Sequence, residues 1–138
     1  SCTGGMIAQD LTEVAGASAV FGLGVVSYSN AMKSAVLGVP KPLIEQHGAV
    51  SAACVGAMVN GVQGLSSAEL CAAVSGISGP SGATPDKPVG TVWVGLGRHQ
   101  ERWQKRFQFD GDRNAVRRAT SAQVFVGLSQ LVRGQEPW

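Results

Sequence analysis

Among the side chains of this 138-residue chain that can do chemistry, three stand in a suggestive relation: Ser1, Tyr28 and Lys33. A serine hydroxyl becomes a nucleophile only when a base takes its proton. The two histidines are poorly placed for that work, because the chain has no Gly-x-Ser-x-Gly elbow and His47 falls in a helix-ending turn. Lysine is the other available base. Lys33 reads as part of a first helical turn, where the helix dipole and burial both disfavour an ammonium and leave an amine able to accept a proton. Tyr28 is spaced to relay or orient that proton, and the Thr3-Gly4-Gly5 turn offers backbone N–H groups suited to an oxyanion. Each residue also has a plainer role open to it: Ser1 as a helix cap, Tyr28 at a core edge, Lys33 in solvent.

The elements that must position these residues follow from the apolar spacing. Ile7, Leu11 and Val14 recur at helical intervals and predict a helix over 3–14, with Gly4 and Gly5 in its first turn. Gly24 to Tyr28 reads as a short buried strand. Asn30 is expected to cap a helix through Leu37 that Gly38 and Pro40 end. A helical piece over 42–46 precedes a longer helix capped by Ser51 and running through Cys54, Met58 and Val62. Leu70 to Val74 lacks strict alternation, as a strand covered on both faces does. The loop over 75–88 is rich in Gly and Pro and longer than most, which favours function. Val89 to Leu96 and Arg102 to Phe109 predict an antiparallel hairpin, the second strand half-exposed with Trp103, Phe107 and Phe109 on one face. Asp112 caps a last helix carrying Val116, Thr120, Val124, Leu128 and Leu131. The fold class expected is α/β: a three-layer α/β/α sandwich with a mixed, mainly parallel sheet and a C-terminal antiparallel hairpin. Ligands of such sheets bind beyond the C-terminal ends of parallel strands, so the junctions at 1–5, 28–33 and 76–90 are the candidate site.

Composition narrows the classes. Only 14% of residues are charged and 44% are hydrophobic, a balance that opposes disorder and fits one packed domain. Nineteen glycines imply many turns or close backbone approaches. The net charge of +2 is too small to argue for nucleic acid or an anionic membrane. It is unevenly spread: residues 98–118 carry seven Lys or Arg against three Asp or Glu, whereas residues 1–97 carry three against five. An anion site is therefore expected to draw on the C-terminal part. No apolar run is long enough to span a bilayer, and no signal-peptide pattern opens the chain, so a cytoplasmic location is expected. Cys2, Cys54 and Cys71 are odd in number and lack a CxxC spacing, which suits reduced thiols, and with only two histidines no metal is expected.

Six strings occur in one order along nearly the whole chain: Ser1-Cys2-Thr3-Gly4-Gly5; Gly24-Val25-Val26-Ser27-Tyr28-Ser29-Asn30 with Lys33; His47-Gly48-Ala49-Val50-Ser51; Gly76-Ile77-Ser78-Gly79-Pro80; Lys87-Pro88-Val89-Gly90; and Phe109-Asp110-Gly111-Asp112-Arg113. Together they resemble the CinA C-terminal domain family, the nicotinamide-nucleotide amidases. The resemblance implies cofactor-free hydrolysis of the carboxamide of nicotinamide mononucleotide to nicotinate mononucleotide and ammonia. It also implies Ser1 as nucleophile, with Tyr28 and Lys33 as its partners. Substrate-binding candidates are Thr3, Gly4, Gly5, Asn30, Gly76 and Gly79, with Thr84, Lys87 and Arg113 for the phosphate. The expected partner is a pyridine nucleotide, not nucleic acid or membrane, and a homo-oligomer is expected. Two departures from the family pattern appear. The family has a further helix, a strand and a glutamate before the serine, so residues 1–138 are expected to form a single domain lacking that helix and strand. Ala52 stands where the family has glutamate, which leaves open a second reading, a nucleotide-binding or assembly module with little turnover.

Overall fold

Hydrogen-bonded strands occur only in the C-terminal half of the computed structural model, which describes residues 1–138. Helices α1 (Met6–Thr12), α2 (Asn30–Leu37), α3 (Lys41–His47) and α4 (Ala52–Ser66) precede β1 (Leu70–Gly76), β2 (Thr91–Arg98) and β3 (Glu101–Gln108), and α5 (Arg113–Val132) closes the chain. The sheet order is β1-β2-β3, and both pairings are antiparallel. Val74 faces Val94 across the first pair and Leu96 faces Trp103 across the second.

Side-chain alternation along these strands builds two cores. Val74, Val92, Val94 and Leu96 pack with Cys2 and with Val116, Val124 and Leu131 of α5. Cys71 and Ala73 project from the other face of β1 onto Cys54, Met58 and Val59 of α4, where Leu37, Val39 and Ile44 join them. Trp103, Phe107 and Phe109 line the α5 side, as their spacing requires. Three layers result, with α1 and α5 on one face and α2, α3 and α4 on the other. Glycines let α4 approach closely: a Cβ on Gly61 would stand 2.0 Å from the Leu37 carbonyl oxygen, and one on Gly95 3.0 Å from that of Val55.

Layering, α/β class and hairpin agree with expectation; the mainly parallel sheet does not. A parallel neighbour of β1 would have to occupy its free edge. Residues 21–28, of which Val25 and Val26 line one apolar cavity of about 760 Å³ together with Ala72 and Val74 of β1, carry no ladder hydrogen bonds. The expected strand over 24–28 is therefore absent, and Val26 and Tyr28 are exposed. Three boundaries also shift. Helix α1 begins at Met6 because Gly4 and Gly5 take positive φ angles of 61° and 98°, a conformation glycine adopts without strain. Ser29, not Asn30, caps α2, its Oγ accepting from the Met32 N–H at 3.2 Å. Strand β2 starts at Thr91, after Thr84 and Lys87 have closed a small turn through paired backbone bonds. No helix is long and apolar enough to cross a membrane.

Candidate active site

The turn over Ser1–Gly5 lies against the end of β1. The Ser1 nitrogen donates to the Val74 carbonyl at 2.7 Å, and its Oγ lies 3.5 Å from the same oxygen. The Gly4 N–H closes the turn on the Ser1 carbonyl at 3.1 Å, and the Met6 N–H reaches the Thr3 carbonyl at 3.3 Å. The N–H groups of Cys2, Thr3 and Gly5 donate to no protein acceptor. These free donors, concentrated in one turn with Cys2 and Thr3 buried, are what an oxyanion needs.

Lys33 is the most unusual residue of the molecule. It is 2% exposed, and no carboxylate pairs with it. Its Nζ donates to the carbonyls of Ser27 at 3.2 Å and Tyr28 at 3.0 Å. Burial pushes its pKa below the ordinary lysine value. A neutral amine has two N–H bonds and one lone pair. With both N–H groups engaged by carbonyls, the lone pair remains for a proton donor. Charge on the Cys54 and Cys2 thiols opposes that fall in the Lys33 pKa. Cys54 is fully buried at the start of α4; burial raises its thiol pKa while Lys33 opposes the rise. Ser27 Oγ is buried without a hydrogen-bond partner.

Tyr28 meets Lys33 through its backbone carbonyl, whereas its ring is exposed and its phenol oxygen accepts from Arg113 Nη2 at 3.1 Å. Arg113 Nη1 donates to the Gly79 carbonyl at 2.8 Å. Arg113 thus ties Tyr28 to the 76–90 loop, a role its sequence position did not suggest. Gly76 ends β1, and Gly79, buried, adopts a φ of 84°. Asn30 is exposed in the first turn of α2. Thr84 and Lys87 share the loop tip; Lys87 Nζ makes only a 3.4 Å bond, to the carbonyl of His47.

The structure holds Thr3, Gly4 and Gly5 in one turn with Ser1, seats Lys33 on the carbonyls of Ser27 and Tyr28, links Tyr28, Gly79 and Arg113 by hydrogen bonds, and leaves Thr84 and Lys87 at the loop tip. Two residues missed by the sequence reading hold the turn itself. Ser78 Oγ donates to the Cys2 carbonyl at 3.3 Å, and Arg117 donates to the Thr3 carbonyl from Nε at 3.2 Å and Nη2 at 2.9 Å. The i, i+4 spacing of Arg113 and Arg117 on one helix face was a legible signal for the second. No cluster of three His, Cys, Asp or Glu side chains comes together in a way that could hold a metal ion.

Comparison with known proteins adds an independent line. The chain is 53% identical over 131 residues to the nicotinamide-nucleotide amidohydrolase PncC of Pseudomonas putida, covering 95% of this chain and 82% of that protein. It is 45% identical over 136 residues to a CinA-like protein of Thermotoga sp. strain RQ2, of which it spans 33%. Its fold matches the crystal structure of the competence damage-inducible protein A of Klebsiella pneumoniae with a TM-score of 0.93 at 36% identity, covering 96% of this chain and 83% of that one. The model of the CinA C-terminal domain matches residues 1–132, and with that match the chain belongs to the CinA C-terminal domain family.

Proposed function

We propose that this domain is an amidohydrolase that converts nicotinamide mononucleotide to nicotinate mononucleotide and ammonia. The identity to a protein named for nicotinamide-nucleotide hydrolysis supports the reaction class. The observation that carries the mechanism is the buried Lys33, paired with no carboxylate and held on the Ser27 and Tyr28 carbonyls. An amine desolvated in this way and held by two carbonyls gives up its proton more readily than an ordinary lysine and is suited to act as a general base.

In this mechanism Ser1 Oγ attacks the carboxamide carbon as its proton passes to Lys33 Nζ. The carbonyl oxygen takes up negative charge and receives hydrogen bonds from the free N–H groups of the turn. Collapse of the tetrahedral intermediate breaks the C–N bond, and the Lys33 ammonium returns the proton to the departing nitrogen, releasing ammonia. The acyl ester on Ser1 then accepts water, whose proton goes to Lys33. A second collapse breaks the ester bond and restores the Ser1 hydroxyl with that proton. Tyr28 orients the amine through its backbone carbonyl, while Arg113 holds its phenol. For the nucleotide phosphate, the available groups are the backbone donors of the 76–90 loop and Lys87, which has only a long bond to give up.

The test is ammonia release from nicotinamide mononucleotide by the wild type, Ser1→Ala and Lys33→Met. The proposal expects release by the wild type alone. Nucleotide binding without release would favour a binding module, and equal rates in wild type and Lys33→Met would remove the mechanism.

A further inference from the structure

We infer that Arg117, a residue of α5 outside the reacting constellation, is a positioning residue that sets the orientation of the oxyanion turn through the Thr3 carbonyl. The inference rests on the amidohydrolase reading given above, which assigns that turn its role.

The geometry is specific. A trans peptide is planar, so its C=O and N–H point in opposite directions, and whatever holds the carbonyl aims the N–H. Arg117 grips the Thr3 carbonyl with two nitrogens of its fork, at 3.2 and 2.9 Å. The Gly4 N–H of that same peptide is thereby turned onto the Ser1 carbonyl, 3.1 Å away, which closes the turn. Gly4 and Gly5 themselves supply no rigidity, since both are glycines at positive φ. An external clamp is needed, and the guanidinium provides it across 114 residues of sequence. Its remaining contact is Asn114 Oδ1 at 3.2 Å, and no carboxylate neutralises it. A full positive charge consequently rests on the outer side of a peptide whose neighbours offer N–H groups to a developing anion. Lysine cannot reproduce the two-point grip. Ser78 makes the matching contact one peptide earlier, on Cys2, and so aims the Thr3 N–H.

Four measurements on Arg117→Ala and Arg117→Lys test this. In ammonia release from nicotinamide mononucleotide, kcat per folded molecule is expected to fall about 10- to 100-fold in Arg117→Ala, less than complete loss of an oxyanion donor, with KM changed less than about threefold. Arg117→Lys is expected to lie between, and to serve if the alanine variant does not fold. Added guanidinium ion is expected to restore part of the alanine variant's turnover, which a packing defect would not permit. Amide exchange of Gly4, followed by NMR, is expected to quicken at least about tenfold. An unchanged kcat in the folded variants, or a rise in KM alone, overturns the inference. If the wild type releases no ammonia, the amidohydrolase reading fails by itself, and the clamp is judged on Gly4 exchange: faster exchange upholds it, and unchanged exchange overturns it.

Discussion

Replacing Lys33 by methionine separates catalysis from stability. Methionine keeps the unbranched stem, so the packing beneath α2 is largely preserved. It removes the nitrogen that donates to Ser27 O at 3.2 Å and Tyr28 O at 3.0 Å. A buried carbonyl left without its donor costs about 1–3 kcal/mol. Against that loss stands relief from holding an amine at 2% exposure with no counter-charge. The two effects oppose, and the net change in unfolding free energy is expected to stay within about 2 kcal/mol. Turnover has no such offset. Losing a general base costs about 10²–10⁴-fold, which corresponds to about 2.7–5.5 kcal/mol in the activation barrier.

The pH dependence sharpens the test. Burial holds the Lys33 pKa in the folded protein below the ordinary value of 10.5. Between the folded and unfolded values the unfolded chain binds more protons, so this group adds stability as pH rises through that window and withdraws it as pH falls. Wild-type stability should therefore climb relative to Lys33→Met as pH approaches 10.5, while wild-type turnover rises on the alkaline side as the amine loses its proton. Urea unfolding and ammonia release, measured side by side on both proteins over a pH series, supply the data. A Lys33→Met protein that keeps more than about a tenth of wild-type turnover, or that loses turnover only in proportion to its unfolded fraction, would refute the reasoning.

Three other outcomes are expected. Lys87→Ala should weaken binding of nicotinamide mononucleotide by about 1.5–3 kcal/mol, the worth of a charge-assisted bond, and leave nicotinamide riboside nearly untouched; titration calorimetry with both ligands checks this, and equal losses would point to a folding defect. Gly61→Ala places a methyl 2.0 Å from the Leu37 carbonyl oxygen and should destabilise the protein by about 1–3 kcal/mol, with turnover lost as well because α2 carries Lys33; denaturant unfolding and ammonia release read both effects. Ser29→Ala removes the acceptor of the Met32 N–H and should cost about 1 kcal/mol, visible as a lower denaturation midpoint.

What was legible in the sequence is what depends on residues close along the chain. Ser51 and Asp112 cap α4 and α5 by accepting from the N–H three residues on, at 3.1 and 2.8 Å, a bond whose partners the spacing names. The alternation of Trp103, Phe107 and Phe109 prescribes a strand with one apolar face, and a hairpin with the preceding strand follows, although its turn, expected over 97–100, is only His99 and Gln100. Ser29 and Asn30 show the limit of such local reading, since both side-chain types cap well and it is Ser29 whose Oγ accepts from the Met32 N–H. Candidate chemistry was legible too, in the types and order of Ser1, the turn glycines, Tyr28 and Lys33. Sheet direction was not, because a strand exists only when another supplies its hydrogen bonds: Gly24 to Tyr28 has strand-forming residues but no paired neighbour. Tertiary structure alone also decided which cations serve which groups. Arg113 finds Tyr28 across 85 residues and Arg117 finds Thr3 across 114, while Lys87 rests on the His47 carbonyl. Those pairings arise because α5 packs on one face of the sheet with Arg113 and Arg117 in its first two turns, a placement set by long-range burial of Val116 and Val124 rather than by any local pattern.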